Sequence, residues 1–182
     1  VAEAARRGLP NLASLVDAVP ALTTEKAVKL FTKFGIYTQS ELEARADIMY
    51  ETYVKTIKIE ANTMIHMAAK HYIPTVIGYT TRLAQSITAV ASACPEAELS
   101  VQRGLLKDVS ARLAEASAAL EQLKPLMDRV DAIQDVKEMA IAYRTAVVPA
   151  MDALRYPIDQ LELMVDKSIW PVPTYGDLMF EV

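Results

Sequence analysis

Glycine and cysteine are scarce in this sequence, five of the one and a single example of the other in 182 residues. One thiol, Cys94, cannot form an internal disulfide and suits a reducing compartment. The glycines stand apart at positions 8, 35, 78, 104 and 176, so no glycine-rich loop can cradle a phosphate. Nothing matches GxGxxG, GxxxxGKS/T, CxxC, HExxH or GxSxG. Aromatic residues make up only 7%, which argues against a strand-rich sandwich. Basic residues are outnumbered, 19 to 23, and form no run, so the chain offers no field for a nucleic-acid backbone. No uninterrupted apolar stretch approaches the roughly 20 residues that span a bilayer. Nucleic acid and membrane are therefore excluded as partners, and phosphate-loop and zinc chemistry lose their usual sequence support.

What is present is alanine, leucine and valine in a chain that is 52% hydrophobic, the profile of packed helices. The length suits one domain. The start, VAEAARRG, has neither a methionine nor the features of a signal peptide, and reads as the last turns of something already under way. Residues 1–22 are read as a linker or the end of a preceding domain, and 23–182 as a helical bundle domain. A short helix is expected from about Thr24 to Phe34, stopped by Gly35.

Thr38-Gln39-Ser40-Glu41 has the form of a capping box and opens a long helix running to about Ser92. Its stripe is Leu42, Ala46, Met49, Tyr53, Ile57, Met64, Met67 and His71, at steps near three and four. A second stripe passes Ile65, Ala69, Tyr72, Val76, Tyr79, Leu83, Ile87 and Val90. Such a helix is on the order of 80 Å long, and Pro74 should bend it. Cys94-Pro95-Glu96 is the turn, with Pro95 expected as the first residue of the next helix. There Leu99, Gln102, Leu106, Val109, Leu113, Ala116, Leu120, Leu123, Met127 and Val130 form a heptad seam. After a break near 131–135 a third stripe runs from Val136 through Ala140, Tyr143, Val147, Ala150, Leu154, Ile158, Leu161 and Val165 to Ile169. Pro149 and Pro157 should bend this helix without ending it.

The expectation is an all-α fold. It is an antiparallel bundle of three long helices, the first of about 50 residues and bent at Pro74, with a short N-terminal helix and an extended apolar tail. The second and third helices, at roughly 50 Å each, are shorter than the first. Residues near 38–53 should then overhang with their stripe in need of cover.

Polar candidates are few. His66 and His71 lie roughly 140° apart on an α-helix, which separates them too far for a joint metal clamp. Asp108/Arg112, Glu138/Arg144 and Glu162/Asp166 read as helix surface. The methionines read as core filler, and Cys94 lacks a base beside it. The stretch SIWPVPTYGDLMFEV stands out. Trp170, Pro171 and Pro173 make a rigid extended segment, Gly176 permits a turn that Asp177 can cap, and Leu178 and Phe180 present apolar groups. Trp170, Pro171, Pro173, Tyr175, Gly176, Leu178 and Phe180 are the candidate interaction residues. The tail should fold back over the Cys94 turn or cover a surface outside this chain. No catalytic, cofactor or metal residue is assigned.

Three stretches carry a resemblance: FTKFGIYTQSELEARADI (31–48), YETYVKTIKIEANTMIHMAAKHYIPTVIGYTTRLA (50–84) and YRTAVVPAMDALRYPIDQLELMVDKSIWPVPTYGDLMFEV (143–182). They resemble the C-terminal region of type III glutamine synthetase, from about Leu22 onward. The resemblance implies a cytoplasmic, bacterial-type enzyme of nitrogen metabolism that ligates glutamate and ammonia through γ-glutamyl phosphate. It implies ATP and Mg²⁺ or Mn²⁺ in the parent protein, bound by an upstream catalytic domain. It further implies a dodecamer of two hexameric rings. None of those binding residues maps onto this sequence, so this chain is expected to be a non-catalytic structural or assembly domain. Its partners would be the upstream catalytic domain and neighbouring subunits. The alternative is a free-standing helical adaptor without enzymatic activity.

Overall fold

The computed structural model describes residues 1–180, with Tyr175 by its backbone alone. Among these residues every regular element is helical. In chain order the α-helices are α1 (Ala2–Arg6), α2 (Leu15–Ala18), α3 (Glu25–Lys33), α4 (Gln39–Met67), α5 (Ile73–Ala93), α6 (Ser100–Asp131), α7 (Val136–Ala142), α8 (Val148–Met164) and α9 (Tyr175–Phe180). The all-α class and the long bent helix are as expected, and the short connections between long helices are consistent with an antiparallel bundle. No helix among the described residues is long and apolar enough to cross a membrane. The chain divides into two compact units, residues 1–60 with 128–148, and residues 61–127 with 149–182.

The local signals act as their chemistry dictates. Gly35 takes φ +62°, which lets its own N–H reach Thr32 O and that of Ile36 reach Phe31 O, closing the end of α3. At the start of α4 the Thr38 N–H donates to Glu41 Oε2 at 2.7 Å, and the Glu41 N–H donates back to Thr38 Oγ1 at 3.3 Å. Two prolines produce something the sequence reading missed. A π-helical turn, Ala68–Tyr72, joins α4 to α5, and a second, Tyr143–Val147, joins α7 to α8. Pro74 and Pro149 each stand two residues beyond the turn. A proline ring crowds the carbonyl four residues back and offers it no N–H. The wider i→i+5 turn takes up that misfit without ending the helix. Pro125 and Pro157 sit inside α6 and α8 with no such turn.

In the first unit the buried face of α4 is Leu42, Ala46, Tyr50 and Val54. The expected stripe was right at its first two positions and then drifted, since Met49 is exposed and Tyr53 and Ile57 only half-buried. The expected uncovered overhang is not seen either. Leu42, Ala46 and Tyr50 are buried within a unit that also buries Val16 and Val19 of the Ser14-capped α2 and its following 3₁₀ turn. Behind them, the Tyr143 hydroxyl donates to Asp131 Oδ1 at 2.6 Å while Lys58 Nζ meets Asp131 Oδ2 at 2.8 Å. That pair of contacts ties the end of α6 to α4 and to the second π turn. Burial alone would raise the Asp131 carboxyl, but Lys58 and Tyr143 outweigh it and hold it below the usual value. The Tyr143 hydroxyl is pushed well above its ordinary value, first by burial and then by Asp131.

The core of the second unit is built from the two seams. Val109, Ala116, Leu120, Leu123 and Met127 of α6 are buried, as are Met151, Leu154, Ile158 and Leu161 of α8. Leu106 and Leu113 of the expected seam are half-buried. Helix α6 begins at Ser100 and not at Pro95. The Cys94 carbonyl is taken by the Ala97 N–H in a tight turn, and Glu98 Oε1 accepts from the Ser100 N–H. Arg112 pairs with Glu115 at 2.7 Å rather than with Asp108. Helix α8 stops at Met164, short of Ile169, because the Asp166 carboxylate accepts from the Ser168 N–H and starts a separate 3₁₀ turn, Lys167–Ile169.

Candidate interaction site

The segment after α8 turns back along its own unit instead of lying over the Cys94 turn. The 3₁₀ turn at Lys167–Ile169 aims the chain so that the Trp170 N–H reaches the carbonyls of Asp166 and Lys167. The indole then stacks on Tyr72 with ring centroids 5.2 Å apart and planes at 23°. Trp170 is only 8% exposed, so this aromatic anchor is satisfied within the chain. Its indole nitrogen has no hydrogen-bond partner among the described residues. Tyr72 belongs to the π turn, so the misfit that Pro74 imposes sits where the tail docks.

Pro171 and Val172 are half-buried and Pro173 is exposed. The extended run ends sooner than expected. Thr174 is the N-cap of α9: its N–H donates to Asp177 Oδ2 at 2.7 Å, and the Asp177 N–H donates to Thr174 Oγ1 at 3.3 Å. Asp177 therefore completes a capping box and does not close a turn at Gly176, which is an exposed helical residue. Lys167 forms an ion pair with the same carboxylate. Lys167, then the Thr174 N–H and hydroxyl, hold Asp177 well below the usual carboxylate range. The result is a closed strap from Lys167 to Asp177. Beyond it Leu178, Met179 and Phe180 are 70%, 65% and 80% exposed. The Tyr175 side chain, Glu181 and Val182 lie outside the described residues.

Of the seven residues expected to interact, Trp170 and Pro171 thus pack on this chain, and Leu178 and Phe180 face outward. Tyr72, Lys167 and Asp177 were missed as positioning residues, although T-x-x-D ahead of an apolar run is a legible capping signal.

Two polar groups behave differently from their sequence reading. The His66 and His71 rings meet edge to face, centroids 5.6 Å apart, because residues five apart stack one above the other once the backbone bonds i→i+5. The α-helical angle assumed for them does not apply across the π turn. Even so, no group of three or more His, Cys, Asp or Glu among the described residues could hold a metal ion. Glu162 is half-buried instead of being plain surface, and its carboxyl is pushed up by burial, by Asp159 and by Asp177. It borders a cavity of about 410 Å³ whose apolar side includes Met64, Met67 and Ile158.

The comparisons with known proteins agree with the resemblance. The family described as "Glutamine synthetase C-terminal domain" matches residues 1–91. A glutamine synthetase of Butyrivibrio fibrisolvens is 32% identical over 182 residues, all of this chain and 26% of that protein. One from Bacteroides fragilis (strain YCH46) is 28% identical over 98% of this chain and 25% of its own length. The type-3 glutamine synthetase of Dictyostelium discoideum is 29% identical over 96% of this chain and 24% of its own. The chain thus spans about a quarter of the length of these relatives. It belongs to the glutamine synthetase C-terminal domain family.

Proposed function

We propose that this chain is the non-catalytic structural and assembly domain of a type III glutamine synthetase. The protein containing it ligates glutamate and ammonia at the expense of ATP, through γ-glutamyl phosphate, in the cytoplasm. Phosphoryl transfer needs carboxylates converging on a divalent metal and cationic or backbone donors for phosphate. No group of three or more His, Cys, Asp or Glu among the described residues could hold a metal ion; in this reading ATP and Mg²⁺ or Mn²⁺ belong to a catalytic domain upstream, which residues 1–22 join to this one. The subunits assemble as two stacked hexameric rings.

The observation that carries this reading is the contrast within the last described residues. Trp170 is anchored on Tyr72, whereas Leu178, Met179 and Phe180 are left open to solvent. A strap fixed at its base holds an apolar patch in one place, and such a patch suits a neighbouring domain or subunit. Trimming residues 173–182 from the full-length protein should lower its sedimentation coefficient, its turnover, or both. Sedimentation and turnover unchanged from wild type would end this reading of the patch.

A further inference from the structure

The cavity in the second unit has a polar wall on which one carboxylate, Glu162, forms no hydrogen bond or ion pair among the described residues. At about 410 Å³ it falls inside the roughly 300–1,000 Å³ range of small-molecule sites. Met64, Met67, Tyr72 and Ile158 supply apolar surface, with Val172, Pro173 and Leu178 from the segment after α8. The other wall carries Arg155, Asp159 and Glu162, and Asp177 is close enough to act on Glu162 electrostatically. The cations nearby are committed. Arg155 Nε donates to Asp159 at 3.2 Å, and Lys167 pairs with Asp177. Glu162 differs: no hydrogen bond or ion pair to it is formed among the described residues, and everything acting on its carboxyl disfavours the charge. The Tyr72 hydroxyl is pushed up too, by burial, then by Glu162 and Asp159. A half-buried carboxylate without a partner among the described residues, in a negative local field and against an apolar wall, calls for one kind of ligand.

An anion would face three carboxylates. A neutral apolar molecule would remove water from Glu162 and give nothing back, which is costly. A cation on an apolar stem satisfies both walls at once. We propose that this cavity binds a small organic amine or guanidinium, its cationic head on Glu162 and its aliphatic or aromatic body against Met64, Met67 and Tyr72. The thioethers adapt to varied shapes. Leu178 lines this cavity and also belongs to the exposed patch, so the site adjoins the assembly surface, and its ligand role goes beyond assembly.

The test is calorimetric titration of the full-length protein with phenethylamine, against 2-phenylethanol and phenylacetate as neutral and anionic counterparts of similar shape. Phenethylamine should bind saturably. Glu162→Gln, which keeps the shape and removes the charge, should weaken it about tenfold or more. Met67→Trp, which fills the cavity, should abolish binding in a protein whose thermal melt is unchanged, and it serves if Glu162→Gln fails to fold. The alcohol and the acid should bind at least about tenfold more weakly than the amine. Three results would each overturn the proposal: no saturable binding of phenethylamine up to about 10 mM, equal binding of the alcohol, or affinity unchanged in both variants.

Discussion

Replacing Tyr143 by phenylalanine tests the polar joint of the first unit without disturbing its packing. The ring is fully buried, and its hydroxyl reaches Asp131 over 2.6 Å. A hydrogen bond to a charged group contributes about 1.5–3 kcal/mol. The Lys58 arm is weaker, because that side chain is 46% exposed and such pairs contribute at most about 1 kcal/mol. Tyr143→Phe should therefore lower the free energy of unfolding by about 2 kcal/mol near neutral pH. The pH dependence has a defined sign. The folded Asp131 carboxyl titrates below its ordinary 3.8, so its contribution is complete above that value and disappears as pH falls through the lowered one. The Tyr143 hydroxyl titrates above its ordinary 10.0, so its contribution is complete below that value and is lost as pH rises through the raised one. The penalty of Tyr143→Phe should accordingly hold from about pH 4 to about pH 10 and shrink outside that window. Urea unfolding followed by circular dichroism, on wild type, Tyr143→Phe, Asp131→Asn and the double mutant, measures the coupling. A value of about 1–2 kcal/mol is expected. Strict additivity, or a penalty at acid pH as large as at neutral pH, would refute the reasoning.

Trp170→Ala removes the only indole and its stack on Tyr72, a change that costs about 3–5 kcal/mol at a buried aromatic. Residues 167–180 should become the first site of limited proteolysis, while Trp170→Phe should restore most of the protection. Cleavage at the same rate in all three proteins would mean that the stack does not hold the strap. At Gly35 a Cβ would meet nothing within 4 Å, so Gly35→Ala isolates the backbone term at φ +62°. It should cost about 1–2 kcal/mol, read as a lower urea midpoint, with Gly35→Asn intermediate between the two.

The legible part of this protein was local. The Thr38–Glu41 box, the Gly35 stop, the α6 seam and the α8 stripe each depend on residues a few positions apart. Periodicity and capping chemistry therefore carried them, and with them the all-α class. The resemblance to the glutamine synthetase family rested on contiguous stretches and was equally open to reading. What tertiary structure decided was where distant residues meet and what the helix does to make that possible. The two π turns depend on how an entire helix absorbs the carbonyl displaced by Pro74 or Pro149, and they shift every face angle counted across them. That shift brings His66 to His71 and sets Tyr72 under Trp170. The Lys58–Asp131–Tyr143 contacts join three helices, and the Glu162 cavity is bounded by residues as far apart in the chain as Met64 and Leu178. Burial of a carboxylate is a property of those long-range neighbours. A single sequence records the glutamate, but only the fold determines whether water, a partner charge or an apolar wall stands beside it.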